Sequence, residues 1–291
     1  MIALQILIDG FAISALYGLG AVGFTLMFGV SGVLNLTHGS TMVVAALAAA
    51  LMVRRFDFAV QAAAEIGVLA GLALALGTYF LVVRPIQRSK AVAQSEQEIY
   101  ILTGTLLWGI MIQEAIAYFF SDNAFTVPPL MPGIVHLGGV RVPVNEILIA
   151  ALCWSAIGLL WLLVNRTKAG KVLLGASINP RALTLLGVEL SRVYLLVWTI
   201  YGVLAGIAGV LLATFLGASP ARAGQLTASA FTVVVMGGLG NVWGSLIAAY
   251  AVGYLETMTA FLISPQIRTI PSLLLLVLTL YFRPQGLLGR R

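Results

Sequence analysis

The chain has 291 residues, 60% of them hydrophobic and only 9% charged, where a soluble domain carries roughly a quarter charged. So few charges exclude a water-facing surface of any size, and the net charge of +6 fits membrane-flanking loops rather than nucleic-acid contact. The single cysteine, Cys153, excludes an internal disulfide, and with two histidines no Cys/His cluster can hold a metal.

The first apolar stretch, Ile2–Leu36, contains one formal charge, Asp9, and exceeds the about 20 residues needed for one crossing. No Lys or Arg precedes it, which argues against a cleaved leader. Within it Gly18, Gly20 and Gly23 match the GxGxxG pattern, but no strand precedes them, so a dinucleotide site is rejected. Spans are expected near 4–29, 40–53, 62–83, 99–120, 146–164, 190–213, 243–263 and 269–282, with a shorter apolar segment at 227–237. None of these runs alternates in the manner of barrel strands, and backbone groups in lipid must be satisfied within the segment. The expectation is an all-α polytopic protein, one transmembrane domain over 1–291 with eight or nine spans.

Eleven of the sixteen basic residues fall in three places: Arg84, Arg88 and Lys90; Arg166, Lys168, Lys171, Arg181 and Arg192; and Arg283, Arg290 and Arg291. Putting all three in the cytoplasm satisfies the positive-inside rule and leaves the amino terminus outside, with Arg54 and Arg55 facing outward against the rule. It also makes about 121–145 an external loop and about 165–189 a cytoplasmic one.

Two interruptions break the apolar pattern, one in each half. Gly29, Gly32, Asn35, Thr37, His38 and Gly39 interrupt the first stretch, and Gly217, Pro220, Gly224 and later Gly237, Gly238, Gly240 and Gly244 break the sixth to eighth. Irregular backbone at membrane depth survives only where protein or a water-filled cavity satisfies it, and paired breaks point to a transport pathway. Gly202, Gly206 and Gly209 read instead as close helix contacts. Gln113, Glu114 and Glu256 lie inside apolar segments, where an ionisable group is either a pathway group, a proton relay or a structural acceptor.

In the cytoplasmic loop, Asn179 followed by Pro180 is a helix start and Gly187 a stop. Ala182, Leu183 and Leu186 then share one face of a short surface helix, which suits a protein partner or the lipid headgroups. Gly170-Lys171 lacks the first glycine of a phosphate loop, so any ATP hydrolysis would belong to another polypeptide.

Five stretches in series resemble one family, the permease subunits of ABC importers for branched-chain amino acids, in particular the LivH-like half. They are Phe28–Ser40, Val127–Pro143, Ile178–Val193, Phe231–Glu256 and Phe282–Gly289. The chain departs from the family pattern at Ser40, where an acidic residue is frequent, and around Leu174–Gly175, where a basic residue is usual. The resemblance implies an ABC importer permease fold in a bacterial or archaeal inner membrane. The implied partners are a second, LivM-like permease, two ATPases (LivG-like and LivF-like) that bind ATP and Mg, and an extracytoplasmic substrate-binding protein. This chain itself would hold no cofactor and would not be an enzyme. The implied cargo is a branched-chain or similar hydrophobic amino acid; urea, short amides and aromatic acids are carried by related permeases. A self-contained channel or ion-coupled transporter using Glu114 is the competing reading. By resemblance, Asn179, Pro180, Arg181, Ala182, Leu183, Leu186 and Gly187 couple to the ATPase. Asn35, His38, Gly39, Gln113, Glu114, Gly237, Gly238 and Gly240 are the candidates for the translocation path.

Overall fold

A computed structural model describes residues 2–89, 93, 96–120, 123–137 and 139–289; Lys90, Ser121, Arg290 and Arg291 lie outside the described residues. The helices are α1 (Ile2–Ser31), α2 (His38–Phe56), α3 (Val60–Thr78), α4 (Arg84–Arg88), α5 (Gln97–Phe119), α6 (Val144–Arg166), α7 (Lys168–Ile178), α8 (Pro180–Leu185), α9 (Leu190–Phe215), α10 (Ala223–Gly237), α11 (Val242–Leu262) and α12 (Ile270–Phe282). A π-helical turn, Tyr79–Val83, joins α3 to α4, so that Val60–Arg88 forms one span. Among the described residues, eight helical stretches are long and apolar enough to cross a membrane, and they coincide with the eight long segments expected from sequence. The shorter segment at 227–237 belongs to α10, whose 15 residues reach about 22 Å, short of the hydrocarbon thickness of about 30 Å.

Helix α1 is the central post, buried along most of its length. It runs antiparallel to α11: Gly10 lies against Tyr254, Gly18 against Leu246 and Ala249, and Gly29 against Gly240. The three glycines of the apparent dinucleotide pattern are contact points, Gly20 facing His38 and Gly23 facing Leu204. Small residues bring the backbones together elsewhere as well. Gly202 meets Leu72, Gly206 meets Val68, and Gly209 meets the backbone of Met42, so α9 packs closely on α2 and α3.

Following the spans through these contacts brings Arg84, Arg88, Arg166, Lys168, Lys171, Arg181, Arg192 and Arg283 to one end of the bundle. We call this the basic end. Arg54 lies at the opposite end, donating to the backbone and hydroxyl oxygens of Thr126. A small antiparallel hairpin, β1 (Ile134–Leu137) and β2 (Val140–Pro143), covers that end with Ile134 opposite Pro143. Periodicity did not suggest it, because each strand is only four residues long.

A Cβ at Gly209 would collide with the Met42 carbonyl, so Gly209→Ala is expected to destabilise the protein by about 1–3 kcal/mol through overpacking. Gly158→Ala, where a Cβ meets no neighbour, serves as the control. Equal thermal unfolding midpoints for the two variants in detergent would refute the close-packing role.

Candidate functional site

Gly32, in the left-handed region at φ +67°, turns the chain after α1 back into the bundle, and α2 starts at His38 deep inside it. Asn35, Thr37 and His38 are buried. The broken backbone is satisfied by side chains from several elements. Asn35 Oδ1 accepts from the Thr37 amide at 3.0 Å and the Thr37 hydroxyl at 2.6 Å, and its Nδ2 donates to the Tyr201 hydroxyl at 3.1 Å. The Leu36 amide donates to Thr105 Oγ1 at 3.2 Å, and the Gly39 amide donates to Thr227 Oγ1 at 2.9 Å. His38 Nδ1 lies 3.2 Å from the Tyr201 hydroxyl, with the Phe24 ring at its edge.

The second break meets the first here. Gly217 (φ +73°) turns the chain after α9, Ala218 pairs with Phe125, and α10 begins at Ala223 against Gly39. A Cβ on Gly39 would strike the Ala223 carbonyl oxygen, which requires glycine there. Two half-helices therefore start at one buried junction and run to opposite ends of the bundle, the arrangement associated with transport sites. A recess of about 20 Å³ adjoins His38, too small for an amino acid.

The remaining pathway candidates lie elsewhere. Gly237, Gly238 and Gly240 form the turn between α10 and α11 at the basic end, separated from His38 by the Gly20-to-Gly29 stretch of α1, about 14 Å. Their close approaches are to backbone: Gly237 to Gly244, Gly238 to Gly289. The carboxy-terminal segment docks there, the Leu287 amide donating to Met236 O at 2.8 Å, and Asn241 Nδ2 to Leu288 O at 2.7 Å. Gln113 and Glu114 are one turn beyond Gly109 on α5, which itself faces Leu36 and Ser40. Gln113 is half-buried; Glu114 is exposed, in a stripe with Leu107, Met111 and Tyr118 at helical spacing. A carboxylate is costly against lipid, so this stripe suits a protein partner or a watery path. With α12, α5 is the span least covered by the rest of the chain.

Glu256 has the opposite setting. It is buried and accepts from Tyr17 at 2.7 Å, Ser272 at 3.1 Å and Ser229 at 3.5 Å, with Arg268 Nε at 4.0 Å. These partners come from α1, α10 and the α12 region, so the carboxylate ties four elements together as a structural acceptor.

At the basic end, Thr167 caps α7 and Asn179 caps α8, accepting from the Ala182 amide at 3.1 Å, with Pro180 in the first turn and Gly187 (φ +81°) ending it. The sequence did not suggest α7; it is the platform on which α8 rests. Leu183 turns inward over Gly175 and joins the core margin, so it does not share the outer face with Ala182 and Leu186 as expected. Ile178, Leu185 and Leu186 are the most exposed large apolar residues of this region, with Leu185 89% accessible, and Arg181 beside them is exposed. Tyr201 was missed by sequence reading because its partners lie more than 160 residues away; nothing local marks it.

Tyr201→Phe leaves Asn35 Nδ2 and His38 without their shared partner, and a loss of about 1–3 kcal/mol is expected. Unchanged thermal stability would mean that the junction does not depend on that hydroxyl.

The family model described as "Branched-chain amino acid transport system / permease component" matches residues 6–281. The high-affinity branched-chain amino acid transport system permease protein BraD of Pseudomonas aeruginosa is 26% identical over 294 residues, 99% of this chain and 96% of that protein. LivH of Escherichia coli, a permease protein of the same description, is 26% identical over 302 residues, again 99% and 96%. In fold the chain is similar to PsaBC from Streptococcus pneumoniae in complex with Fab, with a TM-score of 0.55 at 12% identity over 98% of this chain and 97% of that one.

Proposed function

We propose, because this chain belongs to the family of branched-chain amino acid transport permease components, that it moves branched-chain or similar hydrophobic amino acids inward through a bacterial or archaeal cytoplasmic membrane. It is a membrane-spanning permease subunit of an ABC importer. The observation that carries the coupling scheme is the exposed apolar tip of α8, Leu185 and Leu186, at the basic end. A six-residue helix is not stable alone, and the caps and α7 hold it in place. Such a tip suits docking to a partner ATPase that binds ATP and Mg. A second, LivM-like permease would cover the α5 and α12 faces, with Glu114 and Gln113 along the shared path. A substrate-binding protein would deliver cargo at the opposite end. The buried junction of Asn35, His38 and Gly39 would act as the hinge about which the two half-helices are held while the permease halves rock.

The test uses the complete complex in proteoliposomes. Leu185→Asp with Leu186→Asp is expected to lower uptake at least about tenfold, the effect of 1.4 kcal/mol at the docking contact, while the permease pair still assembles. Leu183→Asp should instead lower the stability of the permease. Normal uptake by the Leu185/Leu186 variant would refute docking through this tip. Disabling the ATPases should abolish uptake, and a protonophore should leave it intact. The reverse pattern, with Glu114→Gln inactive, would replace the importer scheme with an ion-coupled one.

A further inference from the structure

A recess of about 500 Å³ opens between α1, α6, α7 and α11, on the basic half of the bundle. Its walls are apolar, formed by Leu26, Ile157, Leu160, Leu173 and Leu246 among others, with Trp161 and Trp243 partly exposed along it. No charged residue lines it. Along α6 it extends from Trp154 to Val164 and Asn165, about 15 Å, which is the hydrocarbon depth of one leaflet. Polar groups occur mainly at its basic-end mouth, where Asn165 and Ser177 lie.

Basic residues flank this mouth along α6 and α7. Arg166 follows Asn165 directly, and Lys171 precedes the lining residue Leu174 by one turn of α7, with Lys168 a turn earlier. All three are exposed, and none forms an ion pair among the described residues. An amino-acid zwitterion does not fit the recess, because its ammonium and carboxylate would find no charged partner on these walls. A long apolar chain with an anionic head does fit. The chain fills a slot of one leaflet's depth, the head meets three cations that form no ion pair among the described residues, and Trp243 in the first turn of α11 lies toward the mouth.

We propose that this recess is a binding site for one anionic phospholipid of the inner leaflet, its acyl chain between α6 and α11 and its headgroup phosphate at Arg166, Lys168 and Lys171. The site is distinct from the proposed cargo path and from the Leu185/Leu186 tip, although α7 borders both. Gly158 lines the recess, and a Cβ built there meets no atom within 4 Å, so Gly158→Leu directs a branched side chain into the slot and removes a glycine from a helix interior.

The experiment is native mass spectrometry of the assembled permease complex released from nanodiscs of phosphatidylethanolamine and phosphatidylglycerol. The wild-type complex is expected to retain a phosphatidylglycerol through mild delipidation. Gly158→Leu should lower its occupancy at least about fivefold, and Lys168→Gln with Lys171→Gln should remove the preference for phosphatidylglycerol over phosphatidylethanolamine. Retention of phosphatidylglycerol by Gly158→Leu at wild-type occupancy would overturn the proposal. So would cross-linking from a cysteine placed at Trp161 to a helix of the second permease, which would make the recess a protein interface. Thermal unfolding keeps the test decisive if Gly158→Leu assembles poorly: added phosphatidylglycerol should raise the midpoint of the wild type more than that of the lysine double variant. Uptake measurements do not enter this test, so its failure leaves the importer scheme untouched.

Discussion

A backbone amide or carbonyl at bilayer depth has no water to bond, and the rest of this structure depends on how that constraint is met at one place. Between α1 and α2 the helix is broken well inside the bundle, and the freed groups are taken up by Asn35, Thr105, Thr227 and, through Asn35, Tyr201. Those four side chains come from the break itself, α5, α10 and α9. The break thus requires elements distant in sequence to converge on it, and their convergence brings the start of α10 against the start of α2. Remove the breaks, and α2 and α10 would have no reason to begin at a common point. Gly39 is the contact that lets them, since any side chain there would strike α10.

Close helix approach follows the same economy of small residues. Lipid supplies no hydrophobic force to drive helices together, so packing relies on backbone proximity and dispersion. Gly18, Gly20 and Gly23 face three different neighbours of α1, which is how one post can be surrounded on all sides. The Glu256 carboxylate then works as a polar rivet: four donors or charges around it hold α12, otherwise the least covered span, to the core.

Much of this was legible from residues alone, and the boundary of legibility has a physical cause. Span positions follow from uninterrupted apolar length, so all eight were readable to within a few residues. The α8 cap was readable because Asn179, Pro180 and Gly187 act on their own neighbours. What failed depended on contacts across the chain. Leu183 and Leu186 have the same helical phase relation in any sequence reading, but which of them turns inward is decided by Gly175 on α7, a helix that the pattern did not announce. Likewise Gly237–Gly244 and Asn35–Gly39 look like matching breaks in sequence. Gly217, Pro220 and Gly224 are equally visible as a break, and only the fold shows that their turn, not Gly237–Gly244, meets the first one; Gly237–Gly244 makes a tight reversal closed by the carboxy-terminal segment.

The distribution of unsatisfied surface completes the picture. In the interior the junction leaves a recess of about 20 Å³, the glycines bring backbones together, and Glu256 accepts from three hydroxyls. The outer faces are not equivalent to one another. Glu114 breaks the apolar stripe of α5 with a charge that lipid does not suit, whereas the α6–α11 recess has no charged lining residue along one leaflet's depth, and the cations at its mouth form no ion pair among the described residues. The tip of α8 presents leucines beside exposed Arg181, beyond the ends of the spans. A face with a buried-depth carboxylate, a face with an apolar slot and a capped apolar tip in water call for three different kinds of neighbour. One rigid core can serve all three, because none of these surfaces includes the junction that holds the half-helices in place.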